Sequence, residues 1–478
     1  MTRSAIFLAA LAMVLALSLS ACTVVDPSGP SATGPTPAGQ PTSDPGTGRP
    51  GDEAAPGTRT PAETAGGTRD AFTRRTDWRT PAGGVAGYRA RPVPDQLRAL
   101  WVVRTTLTHP DSIRVMVERA AEAGFNTLLV QIRGRGDAYY DSRWEPKPAA
   151  VLAEGVSFDP LALVIREAHL RGIGVHAWVN AHLVGGVGAL PTDPVHLIRA
   201  RPDLLGVPRE LARELYGTDP RTPRFAESLL RYAQQNTDRI EGIYTAPSHP
   251  EVKEHLYAVW MDLVESYELD GLHFDYIRYP NADFDYSRGA LDRFREWVAP
   301  RIPSARRSEL ERAFRSDPLA YVDELPDPWS EFRRIQITEL VERIYFGVKK
   351  RRPDLTVSAA VFPNPDDAYQ ARFQDWRGWL EAGILDAVAP MAYTPENDIF
   401  EGQIQDAIEA AGRSRVWAGV GAYQNSFQGT VEKIRLARNL GTRGVVLFSY
   451  DWAVSEGPHL GYPDFLRRVA EEGFGRRE

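Results

Sequence analysis

Eight short apolar runs, each followed by an amphipathic helical stretch, recur between Ala99 and Glu471. The strand candidates are Ala99–Val103, Thr127–Arg133, Val175–Asn180, Gly271–Tyr276, Thr356–Phe362, Ala387–Tyr393, Val416–Tyr423 and Gly444–Tyr450. The helical stretches are Ser112–Ala123, Leu161–Arg171, Val252–Tyr267, Ser330–Lys350, Tyr369–Ala382, Ile399–Ala411, Thr430–Leu440 and Tyr462–Glu471. Strict alternation of this kind leaves few architectures open, and eight βα units is the count of a (β/α)₈ TIM barrel. A doubly wound open sheet is the rival, but no Gly-rich phosphate loop follows the first strand. Glycines close several helices, as in Glu122-Ala123-Gly124 and Glu381-Ala382-Gly383, where a left-handed cap is expected.

The run LDGLHFDYIRYP (Leu269 to Pro280) sorts its side chains with a period of two. Leu272, Phe274 and Tyr276 fall on one face, which should meet helices. Gly271, His273 and Asp275 fall on the other, which carries an imidazole and a carboxylate toward the barrel interior. Chemistry in such barrels sits at the carboxyl ends of the strands. The same parity groups His176, Trp178 and Asn180, and sets Gln131 and Arg133 opposite Val130 and Ile132. Arg104 lies just past the first strand, on the side shared with Leu100 and Val102. Ser449 and Asp451 end the last strand.

Asp275 is the leading carboxylate, expected to stay ionised beside Arg133 and His176 as nucleophile or base. Asp137, in RGRGDAYYDSRWEP, is the alternative acid, ahead of Glu145, Asp366, Asp367, Glu396 and Asp451. Glycosidic cleavage uses one protonated and one ionised carboxyl group, so such a set points to that reaction. The expected substrate-binding side chains are Arg104, Gln131, Arg133, His176, Trp178, Asn180, His273, Tyr393 and Tyr423. No His-x-His ends the first strand, and no Walker loop or serine elbow occurs, so no metal or cofactor is expected.

Two connections, Ala181 to Glu251 and Asn281 to Trp329, are too long for simple βα loops, and both follow the carboxyl end of a strand. They should wall a cleft. Net charge of −7 gives no cationic surface for nucleic acid.

Residues 1–22 carry Arg3, an apolar run from Ala5 to Leu19 and the end Leu19-Ser20-Ala21-Cys22. This is a signal peptide whose end resembles the bacterial lipobox, so lipidation of Cys22, the one cysteine, is expected to anchor the exported chain to a bacterial membrane. Residues 23–91 are rich in Pro, Gly and Thr and poor in large aliphatics, the composition of a disordered tether. The barrel is placed at 97–474.

RALWVVR, NTLLVQIRGRGDAYYDSRWEP, GVHAWVNAHLV, DGLHFDYIRYP, DWRGWLEAGILDAVAPMAYTP and WAGVGAY, taken in order, resemble the glycosyl-hydrolase-like family 10 proteins, which include envelope lipoproteins. Asp137 and Tyr140 stand at matching places. The likeness implies a (β/α)₈ fold, glycoside hydrolase activity and peptidoglycan glycan strands as the polysaccharide substrate. Two departures stand out. Tyr276 follows Asp275 where some members have a second aspartate, and Met391 stands where a glutamine is common. A noncatalytic glycan-binding barrel is the alternative function. Substrate-assisted cleavage, in which an N-acetyl group replaces the nucleophile, is the alternative mechanism.

Overall fold

A computed structural model describes residues 85, 87–152, 158–455 and 464–475. The signal peptide, Cys22 and nearly all of the tether lie outside the described residues. In chain order the strands are β1 (Leu97–Val102), β2 (Thr127–Arg133), β3 (Gly174–Asn180), β4 (Leu183–Gly185), β5 (Ile243–Tyr244), β6 (Gly271–Asp275), β7 (Thr356–Val361), β8 (Ala387–Pro390), β9 (Trp417–Gly421) and β10 (Gly444–Phe448). Eight are parallel neighbours in the order β8-β7-β6-β3-β2-β1-β10-β9. Parallel bridges Val388–Val416 and Met391–Gly419 join β8 to β9 and bring the sheet round into a barrel. The (β/α)₈ expectation holds, with every strand within a few residues of its expected place.

The helix Pro110–Glu122 shows why the segments between strands coil. Pro110 opens it, His109 Nδ1 accepts the Asp111 amide, and Ile113, Met116, Val117 and Ala120 form one buried stripe. Gly124 ends it at φ 82°, and the Phe125 amide donates to the Ala120 carbonyl at 3.0 Å. Tyr369–Ala382 departs from expectation. It divides into Pro365–Ala371 and Trp376–Glu381, because Phe373 takes φ 54° and Asp375 caps a new helix by accepting the Gly378 amide.

Within β6, parity sorts the side chains as expected as far as Asp275. Leu272 and Phe274 join the outer core, where Trp260 of the helix Pro250–Ser266 packs 4.2 Å from the Phe274 ring. Trp101, Leu129, Trp178, Trp417 and Val446 fill the interior. Gly271 makes room there: a Cβ on it would lie 2.3 Å from His176 Nδ1.

The floor is held by Asp270, at the amino end of β6, which accepts from the Tyr88 hydroxyl and the Arg91 amide, each at 2.7 Å, and from the Val175 amide. The structured body therefore reaches back to Tyr88, and the last residues of the expected tether dock on the barrel. A carboxylate collecting this many donors has made an ordered segment out of a polar sequence.

Over the opposite end stand the two long connections. The first contains the antiparallel β4–β5 ladder and the helices Arg209–Leu215 and Pro223–Gln235. The second has its own aromatic core of Tyr286, Phe294, Trp329 and Phe332, two of them from the helix Pro326–Arg351. Asp285 locks the two together by accepting the Val207 amide at 2.9 Å. Together they form an ordered wall.

Candidate active site

Asp275 ends β6 and pairs in register with Asn180 at the end of β3. Its carboxylate accepts three donors: Trp178 Nε1 at 3.0 Å on Oδ2, with the Tyr276 amide at 2.6 Å and Arg278 Nη1 at 3.3 Å on Oδ1. This is the hydrogen-bonding pattern of an anion. Burial nonetheless lifts its pKa above the ordinary aspartate value, and the Arg278 charge and the donated hydrogen bonds only partly offset that. Asp275 is thus a more basic carboxylate than usual, held in place on both oxygens.

Its neighbours differ from expectation. Arg133 and His176 are absent from its partners, and Arg278 takes their place. Arg278 is buried, stacks 4.2 Å over the Tyr276 ring, and lies 3.6 Å from Glu241 Oε1 through Nη2. Glu241 stands just before β5 and also accepts the Tyr244 hydroxyl. Burial alone would lower the Arg278 pKa; the Glu241 and Asp275 carboxylates outweigh it and hold the guanidinium charged. One arginine therefore bridges two carboxylates. They are close enough for the roughly 5–9.5 Å spacing of glycosidase acid pairs. Glu241 had no signal in the sequence, since it lies in the short irregular stretch between the helix Pro223–Gln235 and β5. Arg278 sits within the quoted run but past the strand, where parity says nothing.

Tyr276 corrects a second expectation. Its φ of 49° turns the chain out of the strand, so its ring sits beside Tyr244 and under Arg278 instead of facing the helices. Arg104 is a third. Leu100 and Val102 do face the helices, but a 3₁₀ turn over Arg104–Thr108 brings Arg104 back across the mouth, where Nη1 donates to Gln131 Oε1 at 2.9 Å. Gln131 in turn donates to Asn180 Oδ1 at 3.4 Å, and Asn180 Nδ2 donates to the Gly134 carbonyl at 3.0 Å. This polar chain leads from Arg104 to the register partner of Asp275.

Arg133 is no ligand group. It is fully buried and makes a two-point ion pair with Glu145, Nε to Oε2 at 2.7 Å and Nη2 to Oε1 at 2.6 Å, while Nη1 donates to the Asn180 and Ala181 carbonyls. His255 adds a contact of 2.9 Å to Glu145. Burial favours a neutral Glu145, but Arg133 and His255 outweigh it and hold it ionised far below the usual range. This cluster clamps the loop after β2 to the barrel wall.

His273 and His176 lie deeper than the mouth. Trp101 Nε1 can only donate, so His273 Nε2 accepts it at 3.2 Å, and Nδ1–H donates to Ser358 Oγ at 2.9 Å. Burial drives both imidazoles to the neutral form, His176 down to about 4 and His273 well below its ordinary value. They build the layer beneath the site.

Asp137 is partly exposed, and its Oδ1 accepts the Gly134 and Arg135 amides at 3.3 and 2.8 Å. Of the lesser carboxylates, Asp451 accepts the Val103 amide at 2.7 Å and the Thr106 hydroxyl, and so ties β10 to β1. An aromatic rim completes the mouth. Tyr393 stacks on Phe448 at 5.4 Å and meets Tyr423 edge-on at 5.9 Å, and the Tyr423 hydroxyl has no protein partner. Partly exposed rings beside a carboxylate suit the apolar faces of sugars. Among the described residues no three His, Cys, Asp or Glu side chains are grouped to hold a metal ion.

The profile of a family described as glycosyl hydrolase-like 10 matches residues 96–216 and 225–425. The chain belongs to this family. Asp275, Arg278, Glu241, Arg104 and the aromatic residues Trp178, Tyr393 and Tyr423 all fall inside the family match. The glycosyl hydrolase DigH of Escherichia coli strain K12 is 23% identical over 324 residues, covering 63% of this chain and 63% of that protein. The glycosyl hydrolase YngK of Bacillus subtilis strain 168 is 21% identical over 300 residues, 58% of this chain and 48% of that one. The chain thus spans under two thirds of the length of either relative. Among solved structures, a β-galactosidase from Bacillus circulans sp. alkalophilus superposes with a TM-score of 0.51 at 14% identity, over 80% of this chain and 56% of its own. That likeness is one of fold, the TIM barrel.

Proposed function

We propose that this glycosyl hydrolase-like 10 protein is an envelope-tethered glycoside hydrolase that cuts a polysaccharide, with peptidoglycan glycan strands as the substrate. One observation carries the chemistry: Asp275 and Glu241 share the Arg278 guanidinium at the mouth of the barrel. Asp275, fixed by three donors and made more basic by burial, acts as the nucleophile or base. Glu241 supplies the second carboxyl group of the pair. We favour Glu241 over Asp137 for that task because Asp137 is held by two amides of its own turn. Asp275 would also stabilise the positive charge that develops on the sugar in the transition state. Tyr393, Tyr423 and Phe448 would stack the sugar, and Gln131 and Asn180 would orient its hydroxyls. His176 and His273 support this layer from below.

The lipobox-like end at Cys22 and the Pro/Gly-rich stretch after it support attachment of this barrel to a membrane through a lipid and a flexible tether. The proposal is tested by mass spectrometry of products from peptide-free peptidoglycan glycan and from a chitin-like polymer. Fragments with new reducing ends are expected from the first. Unchanged chain length on both polymers after prolonged incubation would favour a glycan-binding barrel.

A further inference from the structure

Among the described residues, two arginines at the mouth have no ion-pair partner, and both converge on Gly134. Arg104 lies over this glycine so closely that a Cβ there would sit 2.3 Å from Arg104 Cδ and 3.1 Å from Cζ. Arg135 folds back from the next position, with Nη1 donating to the Gly134 carbonyl at 3.2 Å. Neither reaches a carboxylate. Asp137, the acid nearest along the chain, gives Oδ1 to the Gly134 and Arg135 amides. Arg104 instead uses the neutral Gln131 as its acceptor. Arg135 is partly buried, and both burial and the Arg104 charge work against its own charge. Two neighbouring cations with five N–H donors each, whose hydrogen-bond partners here are neutral (Gln131 and Tyr139 for Arg104, the Gly134 carbonyl for Arg135), form an arrangement that an anion would relieve.

The position of this pair relative to the cleavage site follows from the strands. Gly134 follows β2 and accepts from Asn180 at the end of β3, and Asn180 pairs in register with Asp275 on β6. Two strand spacings separate the pair from Asp275, about 10 Å. That is roughly one to two sugar units along a bound glycan.

We propose that Arg104 and Arg135 form a carboxylate-binding subsite, so that the barrel takes an acidic glycan, one bearing a carboxylate on a sugar adjacent to the bond that is cut. This rests on the reading of the mouth as a glycan site. It adds a selectivity that the stacking residues cannot supply, since aromatic faces accept acidic and neutral sugars alike. The planar fork of arginine matches a carboxylate in two-point fashion, and a lysine keeps only the charge.

The test compares peptide-free peptidoglycan glycan, whose lactyl groups end in free carboxylates, with the same polymer after those carboxylates are converted to methylamides. The wild-type chain should show at least tenfold higher kcat/KM on the acidic polymer, with a KM that rises with salt. Arg135→Gln and Arg104→Gln should each lose tenfold to a hundredfold on the acidic polymer, mainly through KM, and far less on the blocked one. Arg135→Lys should recover part of the loss. Gly134→Ala, which displaces Arg104 without removing it, should follow Arg104→Gln. Equal losses on both polymers, or a wild type indifferent to the carboxylate, would overturn the subsite. Binding of both polymers to Asp275→Asn is measured in parallel. If no polymer is cut, hydrolysis fails as a reading, yet a tighter grip on the acidic polymer that Arg135→Gln abolishes would still uphold the subsite.

Discussion

Arg278 Nη1 lies 3.3 Å from Asp275 Oδ1, three residues back along the chain, and the same guanidinium reaches Glu241. The aspartate is needed as an anion, so activity should fall as pH drops through its pKa. Burial has raised that pKa, which places the acidic limb of the kcat/KM profile above the ordinary aspartate value of 3.8. Arg278→Met removes the opposing charge and leaves two carboxylates facing each other. The limb should then move up by about one pH unit or more. A limb that stays put or moves down would contradict the arrangement.

Trp178→Phe tests the other oxygen. The ring keeps most of the buried shape, but the Nε1–H that holds Asp275 Oδ2 is gone. Loss of one hydrogen bond to a charged group corresponds to about 1.5–3 kcal/mol, or roughly tenfold to a hundredfold in kcat. Thermal unfolding should change far less than for a cavity-forming core substitution. A fall in melting temperature with kcat preserved would mean that Trp178 only fills the barrel.

Glu145→Gln addresses the clamp beneath the loop. It leaves the Arg133 charge buried without its counterion, which costs about 3–5 kcal/mol in unfolding free energy by urea titration. A replacement tolerated within about 0.5 kcal/mol would show that the pair is dispensable.

Asp270 gives a pH signature at the other end of the barrel. Burial raises its pKa, but bonds from His169, the Arg91 amide and Tyr88 outweigh this and bring it down to about 2. A carboxyl group depressed in the folded state contributes stability above its unfolded pKa and loses it as pH falls through the folded one. Stability should therefore decline between about pH 4 and pH 2, and Asp270→Asn should remove about 2 kcal/mol near neutral pH while flattening that decline. An unchanged pH profile in the variant would place the depressed carboxylate elsewhere.

The sequence made the barrel legible because its strands obey two rules at once, a period of two and separation by helical stripes. That sufficed to orient His273, Asp275, Gln131 and Asn180 correctly. It failed where the chain leaves the strand. Arg104 lies two residues past the end of β1 and Tyr276 one past the end of β6, where a 3₁₀ turn and a left-handed residue undo parity. Glu241 lies between the helix Pro223–Gln235 and the two-residue β5, in a stretch too short to show a period, and the β4–β5 ladder brings it to the mouth. Arg133 had the right parity and the wrong inferred role, since sequence spacing did not show that Glu145, twelve residues on, returns to pair with it.

The most direct measurement is the release of reducing ends from peptide-free peptidoglycan glycan by the wild type, Asp275→Asn and Glu241→Gln, with glycan binding and unfolding followed for each. Both variants should fold and bind glycan but release ends at least a thousandfold more slowly, on the order of 4 kcal/mol of lost transition-state stabilisation. Wild-type rates in Asp275→Asn, or no release from any chain alongside tight binding, would contradict the assignment of these carboxylates to hydrolysis.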